Sequence, residues 1–340
     1  MTKKIPFEYY FTENNHLSII DVRSPGEFLQ GHIPNAHNIP LFNNEERAIV
    51  GTCYKKEGKD KAVKLGLSIV GPKLADFVNE AEKIAPNKEV FVHCWRGGMR
   101  SGSFAWLLQT AGFKEIKTLE LGYKAFRKFV LQTLATKLNY KIIGGHTGSM
   151  KTVLLQMLKE KGQQVIDLEQ LAHHKGSAFG SFGQGKQPTQ EQFENDLAIE
   201  ILKCDISKPV WIEDESRHIG SVFLIPPFYE NKLSAQLFLI QLPFEQRLEF
   251  LVKEYAIFPK QEIENALCKI EKKLGGQHLI TALEALANDD FHKVAKIAMV
   301  YYDKYYGYSL ANRANETITE IEIEADKLME TVDLLIEKGI

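Results

Sequence analysis

The amino-acid sequence predicts an α/β protein with two parallel-sheet domains, the second of which has a helical C-terminal portion. Short apolar runs alternate with helix-like segments up to residue 122, as expected for parallel strands joined by crossover helices. A second alternation starts at Tyr140 with a strand, a glycine-rich loop and a helix. From Phe244 onward, apolar residues recur at helical spacing. These observations predict a first domain over residues 1–125, a linking helix over 126–139, a second α/β domain over 140–245 and the helical part of that domain over 246–340.

Length, charge and cysteine usage restrict the class of protein. The 340 residues suffice for two domains with separate cores, and the net charge of −2 gives no overall basic field. Contacts with nucleic acid would need local patches, and the lysine-rich run over residues 55–64 is equally consistent with a solvated face and with phosphate contacts. No apolar run is long enough to span a membrane, and the N-terminus lacks a signal-peptide core. Because the four cysteines are far apart and form no C-x-x-C pair, we expect a cytoplasmic protein without membrane association, disulfides or a zinc site.

The first domain opens with a predicted buried strand over residues 17–22. A Ser-Pro-Gly-Glu-Phe segment follows Arg23 and predicts a turn into a short helix, since proline and glutamate favour the first turn. Residues 31–40 are punctuated by glycine and proline, with a short strand near their end. Asp21 and Arg23 are interpreted mainly as a fold-stabilising ion pair.

A glycine- and arginine-rich loop separates an apolar strand over residues 90–92 from a helix predicted over 101–111. Its two glycines let backbone N–H groups turn toward the cysteine at the loop entrance. These amides, the positive end of the helix and the arginines favour a thiolate, which is a nucleophile able to carry sulfur or selenium. A buried, inert cysteine is the alternative. The predicted catalytic residues are Cys94, Arg96, Gly97, Gly98 and Arg100.

Three motifs in the first 125 residues together resemble a rhodanese domain. They are the segments 21–28 (Asp-Val-Arg-Ser-Pro-Gly-Glu-Phe) and 31–40 (Gly-His-Ile-Pro-Asn-Ala-His-Asn-Ile-Pro), and the pair Cys94-x-x-x-x-x-Arg100. The resemblance implies a rhodanese-like parallel sheet. It also implies that Cys94 accepts a chalcogen as a persulfide or perselenide, stabilised by Arg100 and the loop amides. The same resemblance implies that Asp21 and Arg23 support this loop, which is the alternative to the favoured ion-pair role.

The second domain contains a predicted phosphate-binding loop between a strand over residues 140–143 and a helix over 153–161. Counted from Gly145, the pattern G-x-x-x-x-G-K-[ST] is satisfied except that Met150 stands in place of the second glycine. The Cβ of Met150 restricts the backbone, which weakens the case for ordinary nucleotide binding. We predict phosphate or diphosphate binding, with a bare glycine turn as the alternative. The loop residues predicted to bind are Gly145, His146, Thr147, Gly148, Ser149, Lys151 and Thr152.

An acidic strand end accompanies this loop, since Asp214 and Glu215 follow an apolar run. With strands over residues 163–166 and 236–242, it predicts a P-loop NTPase-like parallel sheet. Thr152 and Asp214 are candidate Mg²⁺ ligands, although no metal site is certain and a helix N-cap is the alternative role for the acids. Arg217 and Arg247 are predicted phosphate contacts.

The C-terminal portion is predicted to be helical over residues 244–255, 260–274, 278–287, 290–306 and 321–338. A run of tyrosines over residues 301–308 lies along one of these helices and is predicted to be mainly core, with stacking on an unpaired base or lining a lipid pocket as the less favoured alternatives. A glycine-rich stretch over 173–185 is predicted to form a long mobile loop beside the phosphate site.

Taken together, the motifs resemble the tRNA 2-selenouridine synthase family over nearly the whole chain. Besides the rhodanese-like motifs, the segments that carry this resemblance are 144–152, 167–180, 211–220 and 274–278. The resemblance implies a two-step change of 2-thiouridine at the wobble base of tRNA. Geranyl diphosphate first alkylates the thiocarbonyl sulfur, and selenium from selenophosphate then displaces the geranylthio group. It implies tRNA and a selenophosphate-supplying enzyme as partners and no tightly bound cofactor, with Mg²⁺ as a candidate ion.

Two other functions stay open. An ATP-dependent tRNA sulfurtransferase would adenylate its base and would hydrolyse nucleotide when tRNA is added. A non-catalytic sulfur-carrier protein would load a chalcogen on Cys94 but would make no tRNA product.

Overall fold

The computed structural model of the chain describes residues 2–311, 313 and 318–339, which fold into two units. The first unit comprises Met1–Thr133 with Glu194–Ile199, and the second comprises Leu134–Phe193 with Glu200–Ile340. Each unit is organised around its own five-stranded parallel sheet, which confirms the predicted α/β class.

The first unit alternates strands and helices along the chain. Its strands are β1 (Lys3–Ile5), β2 (Ser18–Asp21), β3 (His37–Asn38), β4 (Glu89–His93) and β5 (Glu115–Leu119). Its helices are α1 (Phe7–Glu13), α2 (Pro25–Gln30), α3 (Asn44–Glu57), α4 (Lys59–Val70), α5 (Leu74–Ile84), α6 (Met99–Thr110) and α7 (Gly122–Thr133), with a 3-10 turn at Gly71–Lys73. The helix predicted over residues 126–139 corresponds to α7, but α7 begins at Gly122 and ends at Thr133, so the prediction is wrong for residues 134–139, which are not helical.

The first sheet has the order β1-β5-β4-β2-β3, and all its strand pairs are parallel. Strand β4 is central, and Val90, Phe91 and Val92 are fully buried in it. A strand buried on both faces needs apolar side chains at successive positions, which explains the uninterrupted apolar run. The loop that follows β4 therefore starts from the central, fully buried strand of this unit.

The second unit contains the remaining elements. Its strands are β6 (Tyr140–Gly145), β7 (Gln164–Ile166), β8 (Val210–Glu213), β9 (His218–Ile219), β10 (Val222–Phe223), β11 (Gln236–Gln241) and β12 (Ile318–Glu322). Its helices are α8 (Lys151–Glu160), α9 (Leu168–Ala172), α10 (Gln190–Lys203), α11 (Pro226–Leu233), α12 (Phe244–Tyr255), α13 (Lys260–Lys269), α14 (Glu271–Leu274), α15 (Gly276–Ala287), α16 (Phe291–Leu310) and α17 (Leu328–Gly339). Residues 194–199 of α10 are those grouped with the first unit.

The second sheet has the order β12-β11-β6-β8-β7, again with parallel pairs, while β9 and β10 form a separate antiparallel pair. Strand β6 is central, so the predicted phosphate loop also follows the middle strand of a sheet. No helix in the described part of the chain has both the length and the apolarity needed to cross a bilayer.

One predicted helix is wrong at its start. The segment predicted as helical over residues 321–338 begins as strand β12, which pairs with β11, and becomes helical only at Leu328. Ile321 and Ile323 are buried whereas Glu320 and Glu322 are exposed, and this period of two belongs to a strand. The segment predicted as one helix over 260–274 is two helices, α13 and α14, which meet at Ile270.

Candidate functional site

Cys94 lies directly after β4, and its side chain is buried. The loop turns at Gly97, which has a φ of 61°. A Cβ added to Gly97 would lie 2.6 Å from the backbone oxygen of Leu119, so only glycine fits this close approach. The glycine therefore fixes the path of the loop from Cys94 to α6.

The first residues of α7 hold this loop in place through backbone hydrogen bonds. The N–H groups of Tyr123 and Lys124 donate to the carbonyl oxygens of Cys94 and Trp95 at 2.9 and 3.0 Å. Gly122 has a φ of 67°, and a Cβ there would lie 2.4 Å from the Cys94 oxygen. Periodicity in the sequence predicts only a helix for this segment. Gly122, the first residue of this helix, is the sequence feature that indicates the close backbone contact with Cys94.

Ser101 is the polar side chain next to the Cys94 sulfur, at 3.2 Å from Oγ to Sγ. Burial raises the pKa of the thiol, but hydrogen bonds from the side chain and backbone of Ser101, the charge of Arg100 and the N–H of Gly98 outweigh it. The pKa of Cys94 is therefore held below its ordinary value, and the site favours a thiolate. Ser101 was missed in the sequence because it was assigned only to the start of the helix.

The two loop arginines have different positions. Arg100 donates from Nη1 to Glu27 Oε2 at 2.9 Å, so its guanidinium is oriented by a residue of α2. Arg96 is exposed. Of the predicted catalytic residues, the structure groups Gly97, Gly98 and Arg100 around Cys94 and leaves the Arg96 side chain at the surface.

A buried ion pair lies in the same unit, as predicted. Arg23 donates to both carboxylate oxygens of Asp21, with 2.6 Å from Nη2 to Oδ2, and its guanidinium stacks 3.6 Å from the centre of the Tyr123 ring. Arg23 also donates to the Gly31 oxygen at 2.7 Å. Since both charges are fully buried and hydrogen-bonded, the pair ties β2 to the neighbouring segments and stabilises the fold.

The phosphate loop joins β6 to α8, and Met150 is its last residue. Met150 adopts left-handed angles, with φ 59° and ψ 24°, immediately before the first residue of α8. Glycine adopts this conformation without steric cost, whereas methionine adopts it against one. The loop therefore makes the turn that the pattern's glycine would make, although Met150 occupies that position. The earlier turn is made by Gly148, with a φ of 84°.

Lys151 and Thr152 begin α8 beside the loop. Lys151 Nζ donates to the Gly145 oxygen at 2.9 Å, which holds the ammonium group close to the loop backbone. Thr152 Oγ1 donates to Glu169 Oε2 at 3.4 Å. Burial and the nearby Glu215 carboxylate raise the pKa of Glu169 to about 8, against the lowering effect of Lys151. Glu169 was not predicted as a site residue.

Arg247 and Asp303 anchor the first half of the loop. Arg247 donates to the Thr147 oxygen at 3.0 Å and to both oxygens of Asp303, at 2.9 and 2.8 Å. His146 Nδ1 lies 3.3 Å from Asp303 Oδ1. The guanidinium predicted to contact phosphate is thus engaged in positioning the loop.

Asp214 lies in a network that reaches the phosphate loop. Its carboxylate accepts from Lys232 at 2.9 Å, Arg313 at 2.7 Å and the Tyr306 hydroxyl at 3.0 Å. The Gly145 N–H donates to the same Tyr306 oxygen at 2.9 Å, so a tyrosine predicted to be core contacts the site. Because two cations already balance its charge, this network gives no support to Mg²⁺ ligation by Asp214, which stays a prediction.

A cavity of about 1210 Å³ opens over the phosphate loop. The loop residues Gly145, Thr147, Gly148, Ser149, Lys151 and Thr152 line it, together with Asp214 and Glu169. Arg217 is exposed and is not one of the lining residues, so the structure does not bring it to the loop. Among the described residues, no three His, Cys, Asp or Glu side chains are placed to hold a metal ion.

A narrow apolar chamber adjoins this cavity. Five residues line both spaces: Thr147, Ser177, Leu251, Tyr255 and Tyr302. The remaining walls of the chamber come mainly from apolar side chains of α12, α13 and α16 and from Phe179 of the glycine-rich stretch. That stretch lacks regular structure, as predicted, but Phe179 and Phe182 anchor it in the core of the C-terminal helices. Tyr302, from the tyrosine run for which lining a lipid pocket is the less favoured role, is one of these walls, and the other walls are core residues of separate helices that no local pattern connects.

Comparison with known proteins identifies relatives over both units. A family model for the rhodanese-like domain matches residues 10–129, and one for the tRNA 2-selenouridine synthase AAA domain matches residues 138–333. Curated proteins named tRNA 2-selenouridine synthase are similar to nearly the whole chain. The protein from Serratia proteamaculans is 36% identical over 337 residues, which cover 89% of each chain. That from Shewanella denitrificans is 34% identical over 336 residues, covering 88% of this chain and 90% of the relative.

Proposed function

Because the chain belongs to the tRNA 2-selenouridine synthase family, we propose that it is a transferase that converts 2-thiouridine at the wobble position of tRNA to 2-selenouridine. The reaction has two steps. In the first, the thiocarbonyl sulfur is alkylated by geranyl diphosphate at the phosphate loop. In the second, selenium that originates from selenophosphate displaces the geranylthio group with the help of Cys94.

The apolar chamber beside the phosphate loop is the observation that carries the choice of geranyl diphosphate. A ligand that reaches from the cavity into the chamber, whose volume is about 60 Å³, has an anionic head and an apolar tail end. The head is suited to the loop N–H groups and to Lys151, and the tail to the walls formed by Leu251 and Phe179. ATP has no apolar chain that would use the chamber, which favours this function over an ATP-dependent sulfurtransferase.

The residues present match the needs of the first step. Alkylation breaks the bond between the allylic carbon and the diphosphate, and negative charge develops on the departing oxygen. Lys151 and the N-terminus of α8 lie where they would stabilise that charge. Alkylation turns the thiocarbonyl sulfur, a poor leaving group, into a good one.

The second step requires a nucleophile that is not protonated at neutral pH. The hydrogen bonds around Cys94 favour such a nucleophile, because they lower the pKa of its thiol. Cys94 would carry the selenium as a perselenide. Because selenophosphate, supplied by a separate enzyme, holds selenium at the selenide level, this loading takes a two-electron oxidant such as a disulfide and releases phosphate. After selenium has bonded to the base, two thiols cleave the Se–S bond and re-form the disulfide, so the electrons balance. A cytoplasmic location agrees with a tRNA substrate and stays a prediction.

Mass analysis of tRNA nucleosides tests this function. The full chain is incubated with tRNA that contains 2-thiouridine, with geranyl diphosphate and with selenophosphate. Cys94→Ala should let S-geranyl-2-thiouridine accumulate, whereas Lys151→Ala should block its formation. Cys268→Ala and Lys159→Ala, which change an exposed cysteine and an exposed lysine of α8, are matched controls and should form 2-selenouridine normally. If Cys94→Ala and Lys151→Ala both still yield 2-selenouridine, the assignment of the two sites is wrong.

The same assay separates the alternatives. Hydrolysis of ATP stimulated by tRNA, with no need for geranyl diphosphate, would identify a sulfurtransferase. Chalcogen loading on Cys94 without any change in tRNA would identify a carrier protein.

A further inference from the structure

An apolar groove of about 510 Å³ lies on the first unit, between α6 and the α4–α5 region. Its walls include Leu67, Val70 and Leu74 on one side and Met99 and Trp106 of α6 on the other. None of the residues that line it, all in the described part of the chain, is charged. The groove is therefore unsuited to phosphate groups and suited to an apolar ligand.

The exposed apolar side chains along this groove form a cluster. Leu67 is 65% exposed, Met99 54% and Trp106 63%. Single exposed apolar residues are common, but large ones gathered along one groove mark a binding surface. The volume is in the range of sites for small ligands.

The groove begins next to the end of the Cys94 loop, at Met99. Met99 is the first residue of α6, directly after Gly98, whose N–H is directed at the cysteine sulfur. Phe104 of the same helix lines the groove and belongs to the core cluster that contains Cys94. From Met99 to Trp106 the helix advances by about 10 Å, which is comparable to an extended geranyl chain.

We propose that this groove binds the geranyl chain of the S-geranyl base while the selenium nucleophile attacks carbon 2 of that base. This inference rests on the proposed function, in which the apolar chain is still attached when the base reaches Cys94. In that step the selenium electron pair forms the new bond to carbon 2. The bond from carbon 2 to the geranylthio sulfur breaks, its electron pair leaves with the sulfur, and the thiolate takes a proton from water. Two thiols then reduce the bond between selenium and the Cys94 sulfur, which frees the 2-selenouridine and the cysteine and leaves a disulfide. The groove would hold the departing chain away from solvent.

Paired substrates test the groove directly. The full chain is supplied with selenophosphate and with tRNA that carries either S-geranyl- or S-methyl-2-thiouridine, and kcat/KM for 2-selenouridine formation is measured. Trp106→Ala combined with Leu67→Ser should lower kcat/KM about tenfold for the geranyl substrate, mainly through KM, because apolar contact with the chain is lost. With the methyl substrate, which does not reach the groove, the change should be below about twofold. Leu29→Ser, an exposed apolar residue of α2 outside the groove, should change neither value.

The outcomes separate this inference from the function on which it rests. If the unaltered chain does not convert S-geranyl-tRNA at all, both are overturned. If it converts that tRNA and the groove variant affects the two substrates equally, or neither of them, the groove does not bind the geranyl chain. A change in oligomeric state of the groove variant by light scattering, with no selectivity for the geranyl substrate, would instead identify the groove as an interface between copies of the chain.

Discussion

The protonation state of the Cys94 thiol depends on a few groups within one loop and one helix turn. Burial alone would keep its thiol protonated, and the hydrogen bonds of Ser101 act in the opposite direction. Ser101 is itself buried, and its hydroxyl also contacts the Gly98 oxygen at 3.3 Å, so its position beside the sulfur is well defined. The side chain at residue 101 is therefore one of the groups that lower the pKa of Cys94.

We expect Ser101→Ala to raise the pKa of Cys94, because one hydrogen bond to the charged sulfur is lost while burial is unchanged. The thiolate fraction at pH 7 then falls, and alkylation of Cys94 by iodoacetamide should slow by about tenfold and recover at higher pH. The measurement is the rate of alkylation between pH 5 and 10, followed by peptide mass. Ser103→Ala is the matched control, since the Ser103 hydroxyl donates to the Met99 oxygen on the exposed side of the same helix. Equal pH profiles for Ser101→Ala and the unaltered chain would contradict this role.

At the scale of elements, both sites are strand–loop–helix units, and this is why the sequence could predict them. The apolar strand, the loop glycines and the following helix are local features that stand within a dozen residues of each other. The partners that orient the loops are distant in sequence. Arg100 pairs with Glu27 across 73 positions, and Gly145 meets the Tyr306 hydroxyl across 161. Such contacts depend on tertiary packing, so no local pattern could have predicted them.

Strand β12 shows a related limit. Its alternation of isoleucine with glutamate and threonine was open to a helical interpretation because a buried helix segment follows closely. Parallel pairing with β11 makes this segment a strand and not a helix, and the two paired strands are separated in the sequence by α12 to α16. Residues 314–317, which lead into β12, lie outside the described residues.

Substitutions of Met150 test whether stability and diphosphate binding depend on the left-handed backbone conformation of this residue. Met150→Gly should change the free energy of unfolding by less than about 1 kcal/mol, since relief of backbone strain is offset by the entropy of glycine. Met150→Val should lower it by more than about 1 kcal/mol and weaken diphosphate binding, because a β-branched residue fits this conformation poorly. Urea unfolding and calorimetric titration with inorganic diphosphate measure the two effects. Met157→Val, a partly buried position within α8, is the control for loss of side-chain packing. A Met150→Val variant no weaker than this control would contradict the role of the turn.

At the scale of the whole molecule, the two units repeat one principle with different chemistry. In each, the candidate site follows the central strand of a parallel sheet, β4 in the first unit and β6 in the second. The carboxyl ends of such strands are where α/β proteins commonly place their ligands. One unit places a cysteine there and the other a phosphate loop, and the contacts described above for each loop come from its own unit.

This separation predicts that the two steps can be carried out by different copies of the chain. A Cys94→Ala chain retains the complete phosphate loop, and a Lys151→Ala chain retains the complete cysteine loop, because each substitution leaves the supporting contacts of the other loop in place. S-geranyl-tRNA released by the first variant is then a substrate for the second. We therefore expect a mixture of the two variants to form 2-selenouridine after a lag, although neither variant forms it alone. The measurement is a time course of tRNA nucleosides by mass analysis, with each variant at doubled concentration as the control. A mixture that stops at the S-geranyl nucleoside would show that the intermediate must pass between the two sites of a single chain.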